Sequence, residues 1–190
     1  MTDGRAEIRA TLTWASALVD QVPDEQLTSS TPCTDWDVAA LLNHMIGGNL
    51  MYAMAAEGAA PDWDVVRENH VASGAANAYA RSADRAAAAW DAVDLSSKLT
   101  LPYGVMPATF SIGTHQMDHL LHGWDLAVAL GLDRRAPSHL VAFARATVEA
   151  LPAEMARGPR VFAAEVAADP TTSELDQLAA WCGRSHERVR

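Results

Sequence analysis

Only two cysteines occur, Cys33 and Cys182, far apart and without a CxxC pair. That excludes a disulfide-stapled framework and a cysteine-rich metal knuckle, and points to a reduced, cytoplasmic compartment. Basic residues are scarce: 14 Lys and Arg against 24 Asp and Glu leave a net charge of −10. Such a surface repels phosphate backbones and anionic headgroups, so neither nucleic acid nor a membrane is an expected partner. No stretch approaches the ~20 apolar residues of a membrane-spanning helix, and the opening MTDGRAEIRA has no apolar signal segment. Phe and Tyr are few, at three each, whereas Trp occurs six times. What fills the chain instead is Ala, Leu and Val. These contribute to an apolar fraction of 49% over 190 residues. Ala and Leu are strong helix formers, so the expectation is one all-α domain over residues 1–190.

The periodicity agrees. Ile8, Leu12, Ala15 and Val19 recur at helical spacing across residues 4–22, and Pro23 stops the run. A Ser-, Thr- and Pro-rich connector covers 24–33. Thr34-Asp35-Trp36-Asp37 reads as a capping box that opens a second helix, with Val38, Leu41, Leu42, Met45 and Ile46 on its apolar face. That helix is expected to run past Gly47-Gly48 to about Glu57. A third covers 64–92, broken near Ser73-Gly74. Residues 95–110 combine a β-like Lys98-Leu99-Thr100-Leu101 with Pro102, Gly104 and Pro107, which suggests an irregular connection with a small hairpin. A fourth helix spans about Phe110 to Leu130 before Gly131, and a fifth covers 138–151. Gly158 and Pro159 break the chain, and a short last helix covers 173–182.

Chemistry concentrates on the fourth helix. Its segment Thr114-His115-Gln116-Met117-Asp118-His119-Leu120-Leu121-His122-Gly123-Trp124-Asp125-Leu126 holds three of the seven histidines. Residues three, four or seven apart share a helix face, so His115 and His122 nearly eclipse each other. Asp118 with His122, or His115 with His119, could converge on one ion. A facing helix must supply a further ligand, and His44 is the only histidine of the second helix. Two histidines and a carboxylate suit Zn²⁺, Ni²⁺, Fe²⁺ or Mn²⁺ and leave coordination positions open. Spacing alone does not choose between the pairs.

Larger motifs carry a resemblance. Thr31-Pro32-Cys33-Thr34-Asp35-Trp36-Asp37-Val38, then Leu41-Leu42-Asn43-His44 and Gly47-Gly48, resembles the N-terminal signature of the mycothiol-dependent maleylpyruvate isomerase family, within the DinB-like group of metal-binding four-helix bundles. Asp118-x-x-x-His122-Gly-Trp-Asp-Leu-Ala resembles its second signature. Leu101-Pro102-Tyr103-Gly104-Val105-Met106-Pro107 is similar to its preceding loop, and Leu178-Ala179-Ala180-Trp181-Cys182-Gly183-Arg184 to its usual tail. The resemblance implies a four-helix bundle with additional short C-terminal helices. It implies His44, Asp118 and His122 as ligands of a divalent metal, Zn or Ni foremost. Asp118 stands where the isomerases typically carry Glu. His115 and His119 then fall to supporting or surface positions, and Asp125 to a structural hydrogen bond. The implied partners are a small-molecule thiol, mycothiol, and an electrophilic substrate; a homodimer fits this class of bundle. The larger isomerases continue into a separate C-terminal domain, whereas only a short segment follows the fifth helix here. Thiol S-transfer is therefore expected ahead of maleylpyruvate isomerisation. The alternatives are a metal-dependent hydrolase, with His115 or Asp125 as base, and a non-catalytic metal-binding stress-response module.

Overall fold

The computed structural model describes residues 3–151, 162–169 and 171–185. Four long helices form the bundle: α1 (Arg5–Val19), α2 (Val38–Ala56), α4 (Ala75–Ala92) and α5 (Ala108–Leu130). A short α3 (Asp64–Arg67) and a 3₁₀ turn (His70–Ser73) lie between α2 and α4. The break expected near Ser73-Gly74 is real, because Gly74 takes φ 97° before α4 begins. Gly158 and Pro159 lie outside the described residues.

Helix α2 begins three residues later than the capping-box reading placed it, with Asp37 rather than Thr34 at its start. Asp37 is the N-cap, its carboxylate accepting from Ala40 N at 2.8 Å. Residues 27–37 instead fold back on themselves. Ser30 and Asp37 form an isolated antiparallel bridge, and Val38 N and Ala39 N donate to Ser29 O and Leu27 O. Thr31 Oγ1, almost fully buried, donates within the turn to Cys33 O and Trp36 O. These local bonds hold Cys33 and Trp36 at the start of α2.

The hairpin joins β1 (Lys98–Leu101) to β2 (Gly104–Pro107), pairing Lys98 with Pro107 and Leu101 with Gly104. Pro102 and Tyr103 occupy its turn. Pro107, which lacks an N–H, precedes the first residue of α5, and Gly131 at φ 66° closes that helix. Beyond it come α6 (Ser138–Glu149) and α7 (Glu174–Trp181).

Helix α5 is covered on both sides, which explains its weak amphipathicity. One side carries Ile112, Leu126 and Ala127 into the core shared by α1, α2 and α4. The other carries Met117, Leu120, Leu121 and Trp124 against Leu140, Val141 and Ala144 of α6 and Leu175, Leu178 and Ala179 of α7. The Trp124 indole N–H donates to Asp176 Oδ1 at 2.7 Å, and Arg134 pairs with the same carboxylate. Helices α1 and α5 approach so closely at Gly123 that an added Cβ would overlap the Trp14 ring. Among the described residues no helix is long and apolar enough to cross a membrane.

Candidate metal centre

His44 on α2 meets Asp118 and His122, one turn apart on α5. His44 Nε2 lies 3.4 Å from both Asp118 carboxylate oxygens. His122 Nε2 lies 3.4 Å from Asp118 Oδ1. The two imidazoles stand edge to face, with ring centroids 4.8 Å apart. One ligand atom from each residue falls within 4.8 Å of the other two. The donor set fits a divalent ion: donors about 2.1 Å from a tetrahedral centre lie about 3.4 Å from one another. The arrangement is open on one side, since His44 and Asp118 side chains are 26% and 30% exposed while His122 is 7%. Trp36 forms a wall, its ring centroid 4.5 Å from that of His44 and 5.5 Å from that of His122.

Electrostatics bind the group together. Burial works against the Asp118 carboxylate, but His122 and His44 outweigh it and hold its pKa well below the usual range. Burial likewise opposes a charged His122, yet Asp118 and then Asp125 raise its pKa to about 9. Asp125 sits behind His122 and accepts from Nδ1 at 3.0 Å. It is fully buried and also accepts from Arg184 Nε, at 3.1 Å to each oxygen. A carboxylate on the far nitrogen of a histidine fixes its tautomer and frees Nε2 for a metal.

His115 and His119 are not surface groups; both are fully buried. The Trp90 indole N–H donates to His115 Nδ1 at 2.9 Å, which leaves Nε2–H to donate to Asn49 Oδ1 at 2.9 Å. Asn49 then donates to Ser82 Oγ. His115 therefore belongs to a closed polar chain beneath the bundle surface. His119 Nδ1 hydrogen-bonds the Tyr79 hydroxyl at 2.9 Å, and burial pushes its pKa down to about 3. Its Nε2 is buried without a partner among the described residues and faces Gly48.

Two features escaped the sequence reading. Tyr103 at the hairpin turn bonds Tyr52 OH at 2.9 Å, which also bonds Thr114 Oγ1 at 3.0 Å, one turn before Asp118. Thr114 donates onward to Ser111 O, so it must accept from Tyr52, and Tyr52 from Tyr103. The available signal was Tyr52, a hydroxyl within the otherwise apolar Leu50–Met54 run. The second is not Cys33 itself, which stands in the motif before α2, but its company: its donor atom groups with those of His122 and Asp125 within 4.8 Å. Burial, with Asp125 second, raises the Cys33 pKa to about 11. It is a poor nucleophile as it stands.

Comparison with known proteins agrees with this architecture. Residues 8–127 match the mycothiol maleylpyruvate isomerase N-terminal domain. An uncharacterised protein of Mycobacterium tuberculosis, found in two strains, is 31% identical over 171 residues, covering 90% of this chain and 91% of that one. The crystal structure of a mycothiol-dependent maleylpyruvate isomerase superposes with a TM-score of 0.61 at 14% identity, covering 78% of this chain and 70% of the isomerase. A histidine-to-alanine variant of that isomerase gives 0.57 at 16% identity over the same shares. At those identities the structures establish a common fold. The match over residues 8–127 establishes more: the chain belongs to the mycothiol maleylpyruvate isomerase N-terminal domain family.

Proposed function

We propose that this chain holds one divalent cation between His44, Asp118 and His122, and uses it to present a small-molecule thiol to an electrophilic substrate. The observation that carries the reading is the convergence of three donors from two helices within 4.8 Å, on a face left partly open. Family membership supports mycothiol as the thiol. When bound, a divalent ion stabilises a thiolate over a thiol and so supplies a nucleophile at neutral pH. Asp118 brings the negative charge of the set. Asp125 orients His122. Trp36 walls one side and restricts access of water. Cys33, kept protonated, does not compete as nucleophile. Thiol S-transfer is the favoured outcome, with isomerisation of a maleylpyruvate-like substrate as the other reaction of the same site.

Hydrolysis finds less support. Both nitrogens of His115 are engaged by Trp90 and Asn49, and Asp125 is held by His122 and Arg184. Neither residue once expected to act as base is free to take a proton from water. The test is a Co²⁺-loaded sample. Added thiol is expected to change the ligand-field spectrum and bring in a thiolate-to-cobalt charge-transfer band. Subsequent loss of an electrophile should require the thiol. A spectrum indifferent to thiol refutes the transfer reading, and turnover without thiol establishes hydrolysis. Metal binding with neither activity identifies a binding module.

A further inference from the structure

His122 belongs to two overlapping donor groups. Through Nε2 it faces Asp118 and His44. Through Nδ1 it faces Asp125, and Cys33, His122 and Asp125 offer a second set of donor atoms within 4.8 Å of one another. A thiolate, an imidazole and a carboxylate are competent ligands for zinc or cobalt, and the soft sulfur makes the second set attractive to both. What distinguishes the two groups is Arg184. Its Nε lies 3.1 Å from each oxygen of Asp125, and its side chain is only 13% exposed against a fully buried carboxylate.

Arg184 reaches that position from a segment 59 residues further along the chain and outside the family match of residues 8–127. Its placement is built in. Helix α7 packs its Leu175, Leu178 and Ala179 into the second core. Trp124 and Arg134 anchor Asp176. Gly183, at φ 82°, turns the backbone so that Arg184 N donates to Ala179 O at 2.9 Å.

We propose that Arg184 selects between the two donor groups: by occupying Asp125 it withholds that carboxylate from a metal, commits His122 Nδ1–H to Asp125, and directs the cation to His44, Asp118 and His122. This rests on the three-donor reading above. Removing the guanidinium would take from the buried Asp125 carboxylate one of its two charged partners and leave it to His122. A divalent cation bound by Asp125, His122 Nδ1 and Cys33 would supply the lost charge, with the thiol and imidazole protons passing to solvent. Lysine is no substitute. The contact is made by Nε, one atom nearer the backbone than a lysine Nζ, and a point charge lacks the planar guanidinium edge.

The experiment is a Co²⁺ titration of the full-length, metal-free chain and its Arg184→Gln and Arg184→Lys variants, with no thiol added. Wild type is expected to bind Co²⁺ without a thiolate-to-cobalt band. Arg184→Gln is expected to show that band, and adding Cys33→Ser to abolish it; Arg184→Lys shows a weaker one. A wild-type spectrum from Arg184→Gln overturns the proposal, as does a Cys33-dependent band in wild type. Should Arg184→Gln fail to fold, Arg184→Lys decides, its Cys33-dependent band supporting the selector and its absence overturning it. A wild-type chain that binds no Co²⁺ counts against the three-donor site. Wild type that binds while the Arg184 variants stay unchanged counts against the selector alone.

Discussion

Metal affinity should depend on pH more steeply than an ordinary histidine site allows, and the cause is His122. A metal binds the neutral imidazole, so a proton on that ring must leave first. With its pKa raised to about 9 by Asp118 and Asp125 against the opposing effect of burial, His122 is about 1% neutral at pH 7 and about 9% neutral at pH 8. The apparent affinity contributed by this residue should therefore rise about ninefold over that unit. A histidine at the unperturbed value of about 6.5 would change by only about 1.3-fold over the same interval. Asp118 is already ionised, its pKa held well below the carboxylate range, so it contributes no proton here. The assay is calorimetric titration with Zn²⁺ at pH 7 and 8 in buffers of differing ionisation enthalpy, which also counts protons released. About one proton per ion at pH 7 is expected from His122. A flat affinity with no proton release would refute the electrostatic description of the site.

Three further outcomes follow from the same contacts. Without metal, the raised His122 pKa favours folding fully below the unfolded value near 6.5, and that contribution is lost as pH rises through about 9; thermal melts of the metal-free chain should fall between pH 7 and 10, and saturating Zn²⁺ should remove the trend. Tyr79→Phe removes the hydroxyl from a buried His119 whose other nitrogen has no partner among the described residues, at a cost of about 1–3 kcal/mol in urea unfolding; an unchanged midpoint would mean the bond is unimportant. Gly123→Ala pushes against Trp14, whose indole N–H donates to Arg135 O at 3.1 Å. A loss of about 1–3 kcal/mol is expected from overpacking, with weakened metal binding because His122 is the adjacent residue, and calorimetry on the variant would show both.

Helix boundaries were legible where the stop is local. Gly131 and Gly183 close α5 and α7 because each takes a positive φ that other residues resist. The start of α2 was harder: Thr34 and Asp37 can both cap, and the choice is made by the fold-back that pairs Ser30 with Asp37. The hairpin was visible in the alternation of Lys98–Leu101, but Tyr103 meeting Tyr52 was not, since that contact spans 51 positions. Spacing placed Asp118, His119 and His122 correctly around α5 without saying which faces are covered. A helix buried on both sides defeats that inference, and so His119 ends up in the core. The Arg184–Asp125 contact links two segments that no local pattern connects.

The most direct test of the central claim is the metal stoichiometry of the purified chain beside His44→Ala and His122→Ala variants, singly and together. The three-donor site predicts one divalent ion per wild-type chain, weakened binding in each single variant, and none in the folded double variant. A double variant that folds and keeps a stoichiometric ion would contradict it.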